Sequence, residues 1–197
     1  MSASELVTRG MRLFVGGDIA ASIRAFDDAM RLDPKIRPRL WQRGLSLYYA
    51  DRFQDGAEQF AIDVSYNPND TEESVWHFLC LSRMYNPSVA RSRWLHVGQD
   101  PRPVMRAVYD VFHNPDAIPQ AILDAARDTD GHDSFYAKLY VGLWWEAHEG
   151  PTSEGARRFL VESLDTGYGK TSQDYMVALA RVHCRLRGWD QPGPNSK

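Results

Sequence analysis

The chain has few cysteines, little net charge and no long apolar run. Only Cys80 and Cys184 occur among 197 residues, so the fold has to rest on a hydrophobic core and not on a disulfide scaffold. Each sits in an apolar helical pattern, which suits a buried free thiol in a reducing compartment. The formal net charge is −3. Without a basic excess, binding along a nucleic-acid backbone is not expected. No stretch approaches the roughly 18 apolar residues of a membrane span, so no membrane insertion is expected. Residues 1–10 lack the apolar core of a secretory signal. The expected location is cytoplasmic, with an organelle such as the chloroplast as the alternative.

Catalytic signatures are missing too. There is no Gly-x-Ser-x-Gly elbow, and His77, His96, His113, His132, His148 and His183 fall in no metal-type spacing. Gly169-Lys170-Thr171 resembles the end of a P-loop, but Leu164 stands where that motif needs glycine, and a helical pattern precedes it in place of a strand. The expected role of this stretch is helix termination by Gly167 and Gly169, with Thr171 or Ser172 capping the next helix. His132 and Asp133 lie in a turn, where Asp133 is expected to cap a helix. No catalytic residue, metal or cofactor is expected, and the chain is not expected to be an enzyme.

What is present is a period. Gly10 and Gly44, Phe26 and Phe60, and Pro34 and Pro68 are each 34 residues apart. Leu6, Gly10, Leu13 and Gly17 share one helical face. Gly16-Gly17 breaks that helix, and Asp18 is placed to cap a second one carrying Ile19, Ile23, Phe26 and Met30. Asp33-Pro34 ends it. The plan recurs with Leu40, Gly44 and Leu47, a box of Asp51 with Gln54, then Phe53, Ala57, Phe60 and Val64, stopped at Asn67-Pro68.

Residues 4–68 therefore resemble two consecutive tetratricopeptide repeats, matching at Gly10, Gly17, Phe26, Ala29 and Pro34, then Gly44, Phe60 and Pro68. Ser22 and Gly56 replace the alanine usual in the family, and Asp63 stands where Ala29 stands in the first unit, so that carboxylate has to reach a partner or solvent. The resemblance implies an all-α, TPR-like α-solenoid. It would form one domain over 1–190: repeats at 4–36 and 37–70, a degenerate third at 71–98, an irregular helical segment at 99–131, a repeat-like hairpin at 132–167 and a capping helix at 171–189. A disordered tail is expected at 191–197. In the third unit Asp70 starts a helix, and Ala90, Trp94 and Val97 follow at helical spacing. In the fourth, Gly142 and Gly155 imply a loop one residue longer than in the first. The last helix presents Tyr175, Leu179, Val182 and Leu186 on one face, while Arg181, Arg185 and Arg187 stay wet.

In such proteins the first helix of each unit lines a concave face. Carried over, this implies a protein-binding strip of Val7, Met11, Trp41, Leu45, Tyr48, Tyr49, Glu72, Trp76 and Arg83. Trp, Tyr and Arg are favoured at binding hot spots. The alternative is that Trp41 and Tyr48 fill the core. Family members that hold chaperone C-termini use Lys, Arg and Asn where this chain has Val7, Met11 and Gln42, so that partner class is not expected. The resemblance implies an adaptor, scaffold or assembly factor docking a peptide or helix of a protein partner. The alternatives are a small enzyme with a cleft near 98–131, or a structural subunit binding through its convex face, which Trp94 or Trp144 exposed outside the groove would favour.

Overall fold

The computed structural model describes residues 1–190; the tail at 191–197, expected to be disordered, lies outside the described residues. Every regular element among the described residues is a helix. The chain forms two compact units, Met1–Asp100 and Pro101 onward.

In the first unit, α1 (Ala3–Val15) begins with a reciprocal cap: the Glu5 N–H donates to Ser2 Oγ, and the Ser2 N–H donates to the Glu5 carboxylate. Gly17 turns the chain at φ 86°, and Asp18 caps α2 (Ile19–Leu32) by accepting from the Ala21 N–H. Asp33 ends α2. A short 3-10 helix, Pro34–Arg39, intervenes before α3 (Trp41–Tyr49). The period of 34 marks a repeated close approach. A Cβ on Gly10 would lie 2.9 Å from the Phe26 ring, and one on Gly44 only 2.6 Å from the Phe60 ring. Each glycine lets its helix settle on the phenylalanine of the helix that follows. Ser22 is buried. Its hydroxyl lies 2.8 Å from the Gly10 carbonyl and 2.9 Å from the Ser46 hydroxyl, joining the two repeats.

The expected Asp51 cap is not what forms. α4 (Phe53–Tyr66) starts after Arg52 with no side-chain cap, and Asp51 adopts a left-handed φ of 56°. Asp tolerates that conformation better than most side chains. α5 (Thr71–Met84) is capped by Asp70 as expected and is buried along most of its length. α6 (Pro87–Ser92) is shorter than its apolar spacing implied. Trp94 and Val97 lie beyond it, in chain without regular secondary structure. That strap is tied back by Ser74 Oγ donating to the Leu95 carbonyl and the Gly98 N–H donating to the Pro68 carbonyl. Trp94 is buried there with its ring edge-on to Phe78.

In the second unit, α7 (Pro103–His113) and α8 (Gln120–Asp124) pack on α9 (His132–Glu149), and α10 (Glu154–Asp165) packs along α9. Ile118, just before α8, is exposed. A Cβ on Gly142 would meet Leu160, and the small residue buried beside that contact is Ala156. The loop between α9 and α10, residues 150–153, is one residue longer than its counterpart at 16–18, as expected, and α9 runs two residues further past its glycine than α1 does. Leu160, not Phe159, takes the place of Phe26.

The Gly-Lys-Thr stretch is also not a terminator. Gly167–Thr171 is itself a short helix, α11, capped by Thr166. The next helix, α12 (Tyr175–Leu186), is capped by Asp174 and not by Thr171 or Ser172. Leu186 is exposed, and Arg187 turns inward.

Candidate functional site

Three of the nine strip residues are core. Leu45, Tyr48 and Trp76 are 1, 2 and 2% exposed and offer no surface to a partner. Tyr48 meets Trp76 edge-on at 5.3 Å and Phe53 at 5.5 Å, while Phe60 stacks on Trp76 at 6.4 Å. The aromatic supply of α3 thus goes mainly into joining α3, α4 and α5.

The other six are half-buried: Val7, Met11, Trp41, Tyr49, Glu72 and Arg83. Gln42 Nε2 donates to Met11 Sδ at 3.9 Å, linking α1 to α3. Tyr49 lies 5.8 Å from Phe14 and 6.2 Å from Trp76, ring to ring. Arg83 sits over the Phe53 ring at 4.7 Å and 3.6 Å from Asp51. Of the residues that would mark a convex binding face, Trp94 is buried and Trp144 is half-buried, stacked on His148 at 3.8 Å.

Charge is also buried in the first unit, where only Asp63 was anticipated. Asp63 and Glu73 are 1 and 6% exposed. Gln59 Nε2 donates to Asp63 Oδ1 at 3.0 Å, but Asp63 Oδ2 and Glu73 Oε2 have no partner. Burial pushes Asp63 up to about 7, against the hydrogen bond from Gln59. Burial, reinforced by Asp70 and Asp63, pushes Glu73 up to about 9. Burial likewise lowers His77 to about 4. Glu73 and His77 are thereby held neutral at pH 7, while Asp63 divides between its two forms there.

The second unit carries a cleft of about 500 Å³ lined by Arg102, Arg127, Asp128, His132 and Asp133. Asp128, not Asp133, caps α9: its carboxylate accepts from the N–H groups of Gly131, Asp133 and Ser134 at 2.7, 3.0 and 3.1 Å. Asp133 lies inside the helix. Its Oδ2 accepts from Arg127 Nε at 2.8 Å and from the Arg127 N–H at 3.4 Å, and its Oδ1 lies 3.0 Å from His132 Nδ1. The His132 ring stacks on Tyr136 at 4.4 Å and meets Tyr168 edge-on at 5.3 Å. Both tyrosine hydroxyls donate to Asp174 Oδ2, at 2.8 and 2.9 Å. The cleft adjoins the 98–131 segment, but its residues carry no motif in the sequence, because they come from the position before α7, the α8–α9 loop and the first turn of α9.

A third polar cluster is sealed. Glu146 accepts from Arg187 Nη2 at 2.6 Å and lies 2.8 Å from His183 Nε2, with the Glu146 and His183 side chains fully buried. Burial alone would raise the Glu146 carboxyl, but His183 and Arg187 hold it well below the usual range. No group of three or more His, Cys, Asp or Glu among the described residues could hold a metal ion, and no described helix is long and apolar enough to cross a membrane. No family model matches the sequence.

Proposed function

We propose that this chain is a protein-interaction adaptor or assembly factor whose first unit is a short tetratricopeptide-like solenoid, docking a peptide or helix of a protein partner along α1, α3 and α5. One observation carries the reading. Six half-buried side chains, Val7, Met11, Trp41, Tyr49, Glu72 and Arg83, fall on these three helices, and α3 touches both α1 and α5. The repeated Gly–Phe approach in α1–α2 and α3–α4 supports the same arrangement of successive hairpins. An apolar and aromatic strip with one carboxylate and one guanidinium matches how grooves receive an amphipathic segment. Affinity capture with the wild-type chain and with Trp41→Ala tests it, circular dichroism first confirming equal helix content. A partner held by the wild type and lost from Trp41→Ala is the expected result, with affinity reduced by about 2 kcal/mol or more. Identical partner sets would sink the reading.

A further inference from the structure

We propose that α5 is a proton-operated latch: it stays docked on α4 while the buried carboxyl of Glu73 holds its proton, and it undocks locally, ahead of the rest of the first unit, when Glu73 ionises. The device sits in the packing of α5, which is buried from Glu73 to Ser82 and lies against α4, α6 and α3. Apolar contacts hold it there, with Trp76 between Tyr48 and Phe60. Its polar groups do not help. Thr71 Oγ1, Glu73 Oε2, Trp76 Nε1, His77 Nδ1 and Ser82 Oγ are all buried without a hydrogen-bond partner among the described residues, and Asp63 Oδ2 joins them from α4. Folded proteins leave only a few such groups per hundred residues, and each unmade bond weakens the docked state.

The charged groups that act on Glu73 are of one sign. Asp70 and Glu72 flank it at the start of α5, and Asp63 acts on it from α4. From α3, Arg43 acts on Asp63, but it spends Nε on Asp27 and Nη1 on Gln59. On α6, Arg91 lies over the Phe78 ring. His77, one turn beyond Glu73, is kept neutral by burial. An ionised Glu73 is therefore a buried charge among carboxylates with no counter-cation. Relief comes from bringing the carboxylate to water, and a residue inside a helix reaches water by moving the helix. Burial first, then Asp70 and Asp63, delay the loss of the Glu73 proton to about 9. The docked state holds a proton that the undocked helix gives up, so rising pH favours undocking. Undocking also carries Glu72 and Arg83 away from α3, which takes the docking strip apart. That consequence rests on the proposed groove, whereas the latch is read without a partner, so either can fail alone.

Amide hydrogen exchange of the purified full chain at pH 7 and pH 9, followed by mass spectrometry of its peptides, tests the latch. Labelling times are scaled for the faster chemical exchange at high pH. The reference is α1 and α2, whose carboxyls are exposed or half-buried. Protection of residues 73–82 should fall by roughly tenfold or more from pH 7 to pH 9, while α1 and α2 keep theirs. Glu73→Gln and Glu73→Leu, which cannot ionise, should each keep most of the α5 protection at pH 9. The wild-type comparison needs no variant, so the proposal stays testable if neither substitution folds. Unchanged α5 protection at pH 9 would overturn the latch. An equal loss in α1 and α2 would do so too, since the whole unit would then be opening. So would a wild-type fall in both Glu73→Gln and Glu73→Leu, since another group would then carry the response.

Discussion

Gly44 and Phe60 show how little room a single position leaves. A methyl group on Gly44 would fall 2.6 Å from Phe60 Cζ and 2.8 Å from Cε1. The ring is 1% exposed and packed on Trp76, so it cannot swing aside freely. Gly44→Ala should destabilise the first unit by about 1–3 kcal/mol, as overpacking does. Urea denaturation measures it, and Phe60→Leu in the same background should recover part of the loss. Glu146 is the corresponding point in the second unit. Glu146→Leu removes the acceptor of Arg187 and the partner of His183 and should cost about 3–5 kcal/mol, since it leaves an uncompensated buried charge. The glycine contacts were legible in the sequence because the spacing of 34 recurs. The Glu146 network was not, because its members are up to 41 residues apart and nothing local marks them.

Helix boundaries were legible where a cap lies within three residues of the N–H it serves. Asp18 and Asp70 cap as their positions imply. Asp51 does not, because the turn before α4 uses it in a left-handed conformation and its carboxylate faces Arg83. Asp128 caps α9 from outside, five and six residues before two of the N–H groups it receives, a reach no box pattern encodes. Asp174 shows what one cap can hold. It accepts from the Met176 N–H and from the hydroxyls of Tyr136 and Tyr168, so α12 is tied to α9 and α11 through one carboxylate. Asp174→Ala should destabilise by about 2–4 kcal/mol, the sum of a lost cap and two lost hydrogen bonds. Asp174→Asn should lose less, since its amide oxygen still caps. Thermal denaturation of the two variants separates these outcomes.

Across the chain, the two units differ in how they answer to pH. Asp63 and Glu73 are raised to about 7 and about 9 from ordinary carboxyl values. The folded state therefore holds protons that the unfolded chain has already released, so stability falls as pH rises through this range. From pH 7 to 9 Glu73 carries most of the change. His77, lowered to about 4, opposes this only below its unfolded value near 6.5. The first unit should lose stability between pH 7 and 9, and Glu73→Gln should flatten that slope in urea denaturation. The two buried thiols report the units separately. Cys80 is held in the first and Cys184 in the second, and burial raises both, Cys184 to about 12. Raising pH from 7 to 9 in mild urea should speed labelling of Cys80 more than of Cys184, each measured against a free thiol by peptide mass spectrometry. Equal acceleration would show that the alkaline loss is shared by both units.

The amino-acid sequence by itself determined the four α-helices of the first two hairpins, their order and their glycine–phenylalanine contacts. Those depend on spacing along the chain: 3.6 residues per turn, proline and glycine as breaks, and one small residue opposite one ring. Only the tertiary structure decided which aromatic residues stay at the surface. Tyr48 and Tyr49 are neighbours on α3, yet Tyr48 is sealed against Trp76 and Tyr49 is half-buried. It also decided that Leu160 and not Phe159 meets Gly142, that Asp63 and Glu73 are shut away from water, and that Arg102, Arg127 and His132 share one cleft. Burial and convergence depend on which helix packs against which, and residues far apart in the chain carry no local mark of that.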